Sequence, residues 1–308
     1  MRYSFLVSVM ICLLVIAGPS SAAAEDGLSL ASVQAAAAEV GKEGLLFEKN
    51  AHRPVPVASI TKLMTALVVV ESGQDMDEWL TFEERHVEAA ANAWTRIRVG
   101  SQLRRRDALR IALMSSENFA AYTLARSHPD GFEGFVADMN ARAKALGMAQ
   151  TRFVDPTGLS AGNVSTAADL VILARAALRH PEIRNASTTG YYRAEFRQPR
   201  YSLSFGNTNA LVHRDSWGVK LSKTGYLSEA GRCLVMVSEM NGKAVITVLL
   251  DSLGTRSPMG DAGRIKRWLA TGQSGSVAPA AKRYQREKNA ALMAAEAERS
   301  QAVRASSQ

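Results

Sequence analysis

Two apolar runs near the end of the chain constrain its fold more than any other feature. Cys233 to Met240 and Ala244 to Asp251 flank the dipeptide Asn241-Gly242. Asn-Gly between apolar runs of this length predicts a β-hairpin, because both residues tolerate the positive φ angles of a two-residue turn. The chain is therefore expected to contain an antiparallel sheet.

The sequence before the hairpin has helical periodicity. A helix is predicted to begin at Ser59, because apolar residues recur at helical spacing from Leu63 to Val70. Further helices are predicted over Arg106–Leu113, Asn118–Ala125, Gly134–Leu146, Thr166–Leu178 and Asp261–Leu269, with a turn at Asp155–Gly158 and a short strand at Leu45–Glu48. This order of strand, helices, strands and helix is typical of an α+β fold.

The N-terminus has the pattern of an export signal. Arg2 supplies a positive charge, Phe5 to Ala17 is almost continuously apolar, and Ala22-Ala23-Ala24 offers small residues for cleavage. The apolar run is shorter than the roughly 20 residues that span a bilayer, which favours cleavage over an uncleaved anchor. We expect residues 1–24 to be a signal peptide and the mature protein to be periplasmic.

Composition indicates a globular domain followed by a tail. The 308 residues are 47% hydrophobic, enough for one large domain or two lobes, which we place at residues 25–272. Residues 273–308 are predicted to be a basic, Ala-rich, low-complexity tail that is partly helical at best. Its apolar residues form no broad stripe, so we predict no membrane anchor there.

The net charge of +8 is a weak guide to partners. Such an excess would suggest nucleic acid, but export removes that option. Two interpretations remain open: contact with an anionic membrane or wall surface, or merely a solvated basic face.

No catalytic or metal-binding role is predicted for the cysteines or the histidines. Cys12 lies in the signal, so Cys233 stands alone in the mature chain, where we expect a buried, inert thiol and no intramolecular disulfide. The histidines lack metal-ligand spacing, and no metal site is predicted from them: His52, His86, His128, His180 and His213.

Three short motifs follow one another along the chain. They are Ser59-Ile60-Thr61-Lys62, Ser116-Glu117-Asn118 and Lys223-Thr224-Gly225. Each is weak alone, but together they match the S-x-x-K, S-x-N and K-T-G set of penicillin-binding proteins and β-lactamases.

The residue types suit nucleophilic catalysis. A serine hydroxyl needs a base within hydrogen-bond reach, and residues three apart on a helix share a face, so Lys62 can serve Ser59. A lysine acts as a base only if its pKa falls, and we expect burial and a second cation, Lys223, to lower the pKa of Lys62. Backbone N–H groups around Ser59, at a helix start, would stabilise a developing oxyanion.

The chain resembles the serine-type D-Ala-D-Ala peptidases, the low-molecular-mass penicillin-binding proteins, from about Leu45 to Leu269. Beyond the three motifs, the resemblance rests on Ala58–Ala66 and on Met139–Leu159, which contains Asp-Pro-Thr-Gly-Leu. Within the family it looks most like the D-alanyl-D-alanine endopeptidases. Those matches are Leu113–Asn118, Asn207–Asn209, Lys223–Gly225, Ala230–Met236 and the tail after Pro279.

The resemblance implies a β-lactamase/transpeptidase-like fold, an antiparallel sheet flanked by helices with a mainly helical lobe. It implies that Ser59 is acylated, that Lys62 accepts its proton, and that Ser116 relays a proton to the leaving amine. Substrate binding would fall to five residues, with the backbone N–H groups of Ser59 and Tyr226 forming the oxyanion hole: Asn118, Lys223, Thr224, Gly225 and Tyr226. It implies no metal or organic cofactor, with peptidoglycan peptide stems as substrates and β-lactams as covalent inhibitors.

Several activities remain open within this set. In carboxypeptidase relatives an arginine follows the asparagine that here is Asn207, but this chain has Thr208, which favours cross-link cleavage over carboxypeptidase action. A class A β-lactamase would need a glutamate to activate water, and none lies between Asp155 and Asp169. A non-catalytic wall-binding or penicillin-sensing module would have discarded part of the motif set, which is intact.

Overall fold

The computed structural model describes residues 27–86 and 93–306. The predicted signal peptide and Cys12 lie outside these ranges. Eight α-helices lie within them: α1 (Lys62–Glu71), α2 (Arg105–Met114), α3 (Asn118–Arg126), α4 (Gly131–Ala145), α5 (Ala167–Ala177), α6 (Pro181–Thr188), α7 (Ser257–Thr271) and α8 (Pro279–Ser306).

The strands of the same ranges number eleven. They are β1 (Gln34–Glu39), β2 (Phe47–Lys49), β3 (Val55–Pro56), β4 (Trp79–Thr81), β5 (Gln102–Arg104), β6 (Val164–Ser165), β7 (Tyr191–Phe196), β8 (Tyr201–Gly206), β9 (Leu221–Leu227), β10 (Gly231–Met240) and β11 (Lys243–Ser252).

Five strands form one antiparallel sheet in the order β2-β1-β11-β10-β9. The predicted hairpin is β10–β11, and Asn241 and Gly242 between them have φ angles of 50° and 73°. At the other side of β11 the early strand β1 joins the sheet, with Ala36 opposite Val248. Three two-stranded ladders complete the β-structure, and the α+β prediction is confirmed.

The sheet is covered on both faces, and successive residues of β10 alternate between them. Val235 and Val237 face the large core shared with α1, α2 and α5, whereas Leu234 and Met236 face a second core under α7. This arrangement leaves β9 at the sheet edge, beside the helical lobe.

The sequence analysis missed several elements, among them β1 and α6. Strand β1 is Gln-Ala-Ala-Ala-Ala-Glu, and alanine favours helix, but the run is fully buried between β2 and β11, where small side chains let the layers approach. Helix α6 begins at a proline and carries little apolar periodicity, although Ile183 is buried. The early strand predicted at Leu45–Glu48 is β2, which begins two residues later and ends one residue later.

The predicted helix at Ser59 begins differently from expectation. Residues Ala58–Thr61 form a 3₁₀ turn, and the α-helix starts at Lys62 without a side-chain cap. Ala58 has a φ of 49°, which bends the chain sharply before Ser59. The serine is therefore displayed on a tight turn, and its hydroxyl is not used as a helix cap.

The tail differs most from its prediction. Expected to be partly helical at best, it forms α8, 28 residues long. Alanine-rich composition favours helix, and the start of α8 docks on the domain, where Ala281 is buried against Ala31. No helix in the described part of the chain combines the length and apolar character needed to cross a bilayer.

Candidate active site

The three predicted motifs converge on one cleft of about 590 Å³. Ser59 comes from the turn before α1, Ser116 from the loop between α2 and α3, and Lys223 from β9. The cleft is lined by Ser59, Ser116, Asn118, Leu159, Thr208, Thr224, Gly225, Tyr226, Arg232, Cys233, Leu234, Thr255, Pro258 and Met259. Six of the eight predicted site residues are thus in its wall, and the other two, Lys62 and Lys223, are buried side chains bonded to it.

Lys62 sits at the centre of the polar network. Its Nζ lies 2.9 Å from Ser59 Oγ, 2.7 Å from Asn118 Oδ1 and 2.5 Å from the Thr157 carbonyl oxygen. The side chain is fully buried, so these three atoms supply its polar environment. The predicted pairing of serine and lysine across one helical turn is present.

Burial lowers the pKa of Lys62 to about 7. The carboxylates of Asp155 and Glu117 oppose this shift, and the Arg85 guanidinium adds to it. The second cation was expected to be Lys223. The two lysines do repel each other: burial first, and then the charge of Lys62, holds the pKa of the Lys223 amine well below its usual range.

Lys223 and Ser116 form a second pair across the cleft. Lys223 Nζ donates to Ser116 Oγ over 2.9 Å and to the carbonyl oxygen of Thr224 over 2.6 Å. Ser116 has a φ of 61°, a left-handed conformation that is strained for a serine and turns its side chain toward β9. The strained backbone of Ser116 therefore lies in the wall of the cleft.

Two glycines let backbone segments approach the nucleophile turn. A Cβ on Gly225 would lie 3.1 Å from the backbone nitrogen of Ser59. A Cβ on Gly158, where φ is 80°, would lie 2.1 Å from the carbonyl oxygen of Ala58. Gly225, predicted to bind substrate, therefore also has a packing role: it lets β9 run directly beside Ser59.

Asp155 organises the loop behind Lys62. Its carboxylate accepts five hydrogen bonds: from Thr157 N and Oγ1, Gly158 N, Ser160 N and Asn163 Nδ2. This arrangement fixes the Thr157 carbonyl that accepts from Lys62. The sequence indicated only a turn at Asp-Pro-Thr-Gly; its Asx-turn chemistry could have suggested the bracing role.

Strand β9 supplies the remaining predicted residues, Thr224 and Tyr226, to the wall of the cleft. Thr224 Oγ1 lies 2.6 Å from Thr208 Oγ1. Thr208, at the position where an arginine is expected in carboxypeptidase relatives, therefore lies in the cleft. Tyr226 is 49% exposed, and the guanidinium carbon of Arg232 lies 3.8 Å from its ring centroid. The sequence analysis missed Arg232, which no motif marks. Cys233 is buried as predicted, and burial raises its pKa to about 12.

Comparison with known proteins agrees with the geometry. The family model for D-alanyl-D-alanine carboxypeptidase matches residues 21–254. A D-alanyl-D-alanine endopeptidase of Pseudomonas aeruginosa is 45% identical over 260 residues, 84% of this chain and 84% of the relative. One from Escherichia coli is 42% identical over 266 residues, 86% of each chain.

Solved structures share the fold. The crystal structure of the Streptomyces K15 DD-transpeptidase aligns with a TM-score of 0.72 and 28% identity, covering 79% of this chain and 98% of that one. The chain belongs to the D-alanyl-D-alanine carboxypeptidase family.

Proposed function

We propose that the protein is a periplasmic serine D,D-peptidase that cleaves D-Ala-containing peptide cross-links of peptidoglycan through an acyl-enzyme on Ser59. The observation that carries this proposal is the Ser59–Lys62 pair. A buried amine with a pKa of about 7 lies 2.9 Å from the serine hydroxyl, so a large fraction of it is uncharged at neutral pH.

Acylation begins with transfer of the Ser59 proton to Lys62 Nζ. The oxygen attacks the carbonyl carbon of a D-alanine, and the negative charge passes to the carbonyl oxygen. Backbone N–H groups of Ser59 and Tyr226 stabilise that charge, because Gly225 holds β9 against the Ser59 amide. The tetrahedral intermediate then collapses: its C–N bond breaks as Ser116 gives its hydroxyl proton to the leaving nitrogen, with the Lys223 amine beside it, and the proton held on Lys62 passes to Ser116. In deacylation Lys62 takes a proton from the water that attacks the ester, and it gives this proton to Ser59 Oγ as the ester C–O bond breaks, which releases the acid and restores Ser59.

Cross-links are favoured over free termini for two reasons. Thr208 stands where carboxypeptidase relatives carry an arginine, and its hydroxyl is engaged with Thr224, which leaves space for a leaving group that continues into another strand. The relatives from P. aeruginosa and E. coli are named endopeptidases. Carboxypeptidase action on pentapeptides is the alternative.

The test is product analysis with purified muropeptides. Cross-linked dimers should be converted to monomers with a higher kcat/KM than pentapeptides lose D-alanine, and Ser59→Ala should do neither. Ser72→Ala, at the far end of α1, is the matched control and should behave as wild type. A clear preference for pentapeptides would replace the endopeptidase with the carboxypeptidase, and an inactive wild type would refute both.

A further inference from the structure

Three exposed side chains share one face of a segment that precedes β5. Along residues 93–98, Ile97 is buried in the main core, whereas Trp94, Arg96 and Arg98 are exposed at every second position. This alternation is that of extended backbone, in which every second side chain points to the same side. We call the surface formed by the three exposed side chains the Trp94 ledge.

The two arginines of the ledge are held by aromatic rings of strand β8. The Arg96 guanidinium carbon lies 5.2 Å from the Phe205 ring centroid, and Arg96 Nη2 donates to the Ser204 carbonyl oxygen over 2.7 Å. The Arg98 guanidinium carbon lies 4.8 Å from the Tyr201 ring centroid. No ion pair in the part of the chain that the structure describes includes either arginine. Both cations are therefore fixed in position but not neutralised by a carboxylate of that part.

Trp94 presents its indole to solvent. The residue is 78% exposed, and its ring makes no stacking or cation–π contact with the described residues. An indole is a large apolar surface, and covering it by a ligand is favourable. Tryptophan and arginine are also the side chains most enriched where proteins bind other molecules. The ledge is therefore suited to a ligand with a flat apolar face and acid groups nearby.

Strand β8 connects the ledge to the cleft. Ser204, which Arg96 contacts, precedes Thr208 of the cleft wall by four residues, a distance of at most about 14 Å. In the proposed function the leaving group passes Thr208 and continues into another strand. Two or three stem residues separate that leaving group from its sugar backbone, a reach of about 7–11 Å when extended. The sugars can therefore meet the ledge while the scissile amide is in the cleft.

We propose that the Trp94 ledge binds the glycan strand that carries the leaving peptide stem. This inference rests on the proposed peptidase function and names a part of the substrate outside the cleft. A hexosamine ring has an apolar C–H face that the Trp94 indole can cover. Wall glycan carries carboxylates on its stems, and on the lactyl groups that have lost a stem, which Arg96 and Arg98 complement. A protein partner fits less well, because a stable interface takes about 20–30 residues a side.

The experiment measures, by titration calorimetry, how the full chain binds two soluble glycans. One is peptide-free wall strands, which carry lactyl carboxylates, and the other is uncharged oligomers of β-linked N-acetylglucosamine. Trp94→Ala should weaken binding of both about tenfold, because both lose the apolar face that the sugar covers. Arg98→Gln should weaken binding of the wall strands about three- to tenfold and leave the neutral oligomers unchanged, because only the wall strands lose a charge-assisted hydrogen bond.

Two variants on α8 are matched controls. Met293→Ala removes an exposed apolar side chain and Arg283→Gln an exposed charge, and both should bind as wild type does. Trp94→Ala should melt at the wild-type temperature, and if it then binds glycan normally the inference is overturned. An equal loss in Arg283→Gln also overturns it, because the attraction would then be diffuse. A wild type that binds neither glycan overturns it too, and leaves a protein as the occupant of the ledge.

Labelling by a penicillin separates this inference from the proposed function, because the label reports on Ser59 without any glycan. A wild type that takes the label but binds no glycan contradicts the ledge alone. A wild type that binds glycan through Trp94 but takes no label contradicts the peptidase and leaves a wall-binding protein.

Discussion

The contacts of Lys62 suit both protonation states of its amine, because a charged ammonium donates to all three of its neighbours. A neutral amine has two N–H bonds and one lone pair, and two of its three neighbours, Asn118 Oδ1 and the Thr157 carbonyl, are pure acceptors. Ser59 Oγ is the third neighbour and the only one that can donate. When the amine loses its proton, its two N–H bonds can stay on the two pure acceptors, and the lone pair is left for the Ser59 hydroxyl, which is the arrangement that a general base requires.

The pH dependence of acylation follows from this base. The amine accepts a proton only when uncharged, so the acylation rate should rise about tenfold per pH unit below pH 7 and level off above it. Stopped-flow measurement with a chromogenic β-lactam between pH 5 and pH 9 checks this. A rate that falls as pH rises through 7 would mean that the charged form is the active one.

The nucleophile assignment predicts a single acylation site. A labelled penicillin should attach to Ser59 alone, Ser59→Ala should remain unlabelled, and Lys62→Ala should label at least about a hundredfold more slowly. Mass mapping of the adduct checks the position. Ser115→Ala, next to Ser116 but bonded only to the Ile111 carbonyl, should label normally. An adduct on any other serine would refute the assignment.

Among the elements, the loop of residues 154–163 braces the nucleophile turn. Asp155 ties the loop together, Asn163 links it to Thr61 at the start of α1, and Gly158 seats it against the nucleophile turn. A substitution in this loop can therefore affect Lys62 in two ways. It can move the Thr157 carbonyl that accepts from the Lys62 amine, and it can change the charge of the Asp155 carboxylate.

Asp155→Asn separates those two effects. Removing the negative charge disfavours the Lys62 ammonium, so the pKa of Lys62 should fall and the acylation profile should shift to lower pH. The weakened loop should also cost about 1–3 kcal/mol of unfolding free energy in urea. Asp169→Asn is the control: that carboxylate braces Gln150 and Thr151 but does not act on Lys62, so it should destabilise without moving the profile.

Sequence reasoning located the elements that carry strong local signals. The β10–β11 hairpin was marked by Asn-Gly, and the helices by apolar periodicity. It could not locate β1, because burial between two strands overrides the helical preference of alanine, nor Arg232, because its importance arises from a cross-strand neighbour. The order of the motifs identified the site. It could not identify Arg85, whose guanidinium lowers the pKa of Lys62 because the three-dimensional packing brings it near.

At the scale of the molecule, α8 is part of the folded body. Tyr284 donates to Asp251 over 2.5 Å, and Lys288 lies 3.6 Å from the same carboxylate. Gln285 donates to the Leu30 carbonyl, and Ser274 bonds Gly27, so the last helix and its approach hold the first described residues. Composition alone predicted a low-complexity tail that is partly helical at best, because composition does not show whether a segment packs against the domain.

The Tyr284 contact has a measurable contribution to stability. Burial raises the pKa of Asp251, so its charged form depends on the phenol and on Lys288. Tyr284→Phe should lower the unfolding free energy by about 1.5–3 kcal/mol at pH 7, and the loss should shrink as pH falls through the raised pKa of Asp251. Tyr191→Phe, whose ring is 80% exposed, should have no such effect. Equal stability of both variants would show that α8 docks without this bond.

The sheet order also dictates when the enzyme can become active. Strand β1 lies between β2 and β11, so the first and last strands must meet before the sheet is complete. Contacts that close so long a stretch of chain form slowly, whereas the helices from α1 to α6 lie within one stretch, residues 62–188, and their mutual contacts span shorter separations. Lys223 arrives with the late strands, after Ser59 and Ser116 have been synthesised. A nascent chain therefore carries its nucleophile long before it has a working cleft, and catalysis begins only when the C-terminal strands have emerged and paired.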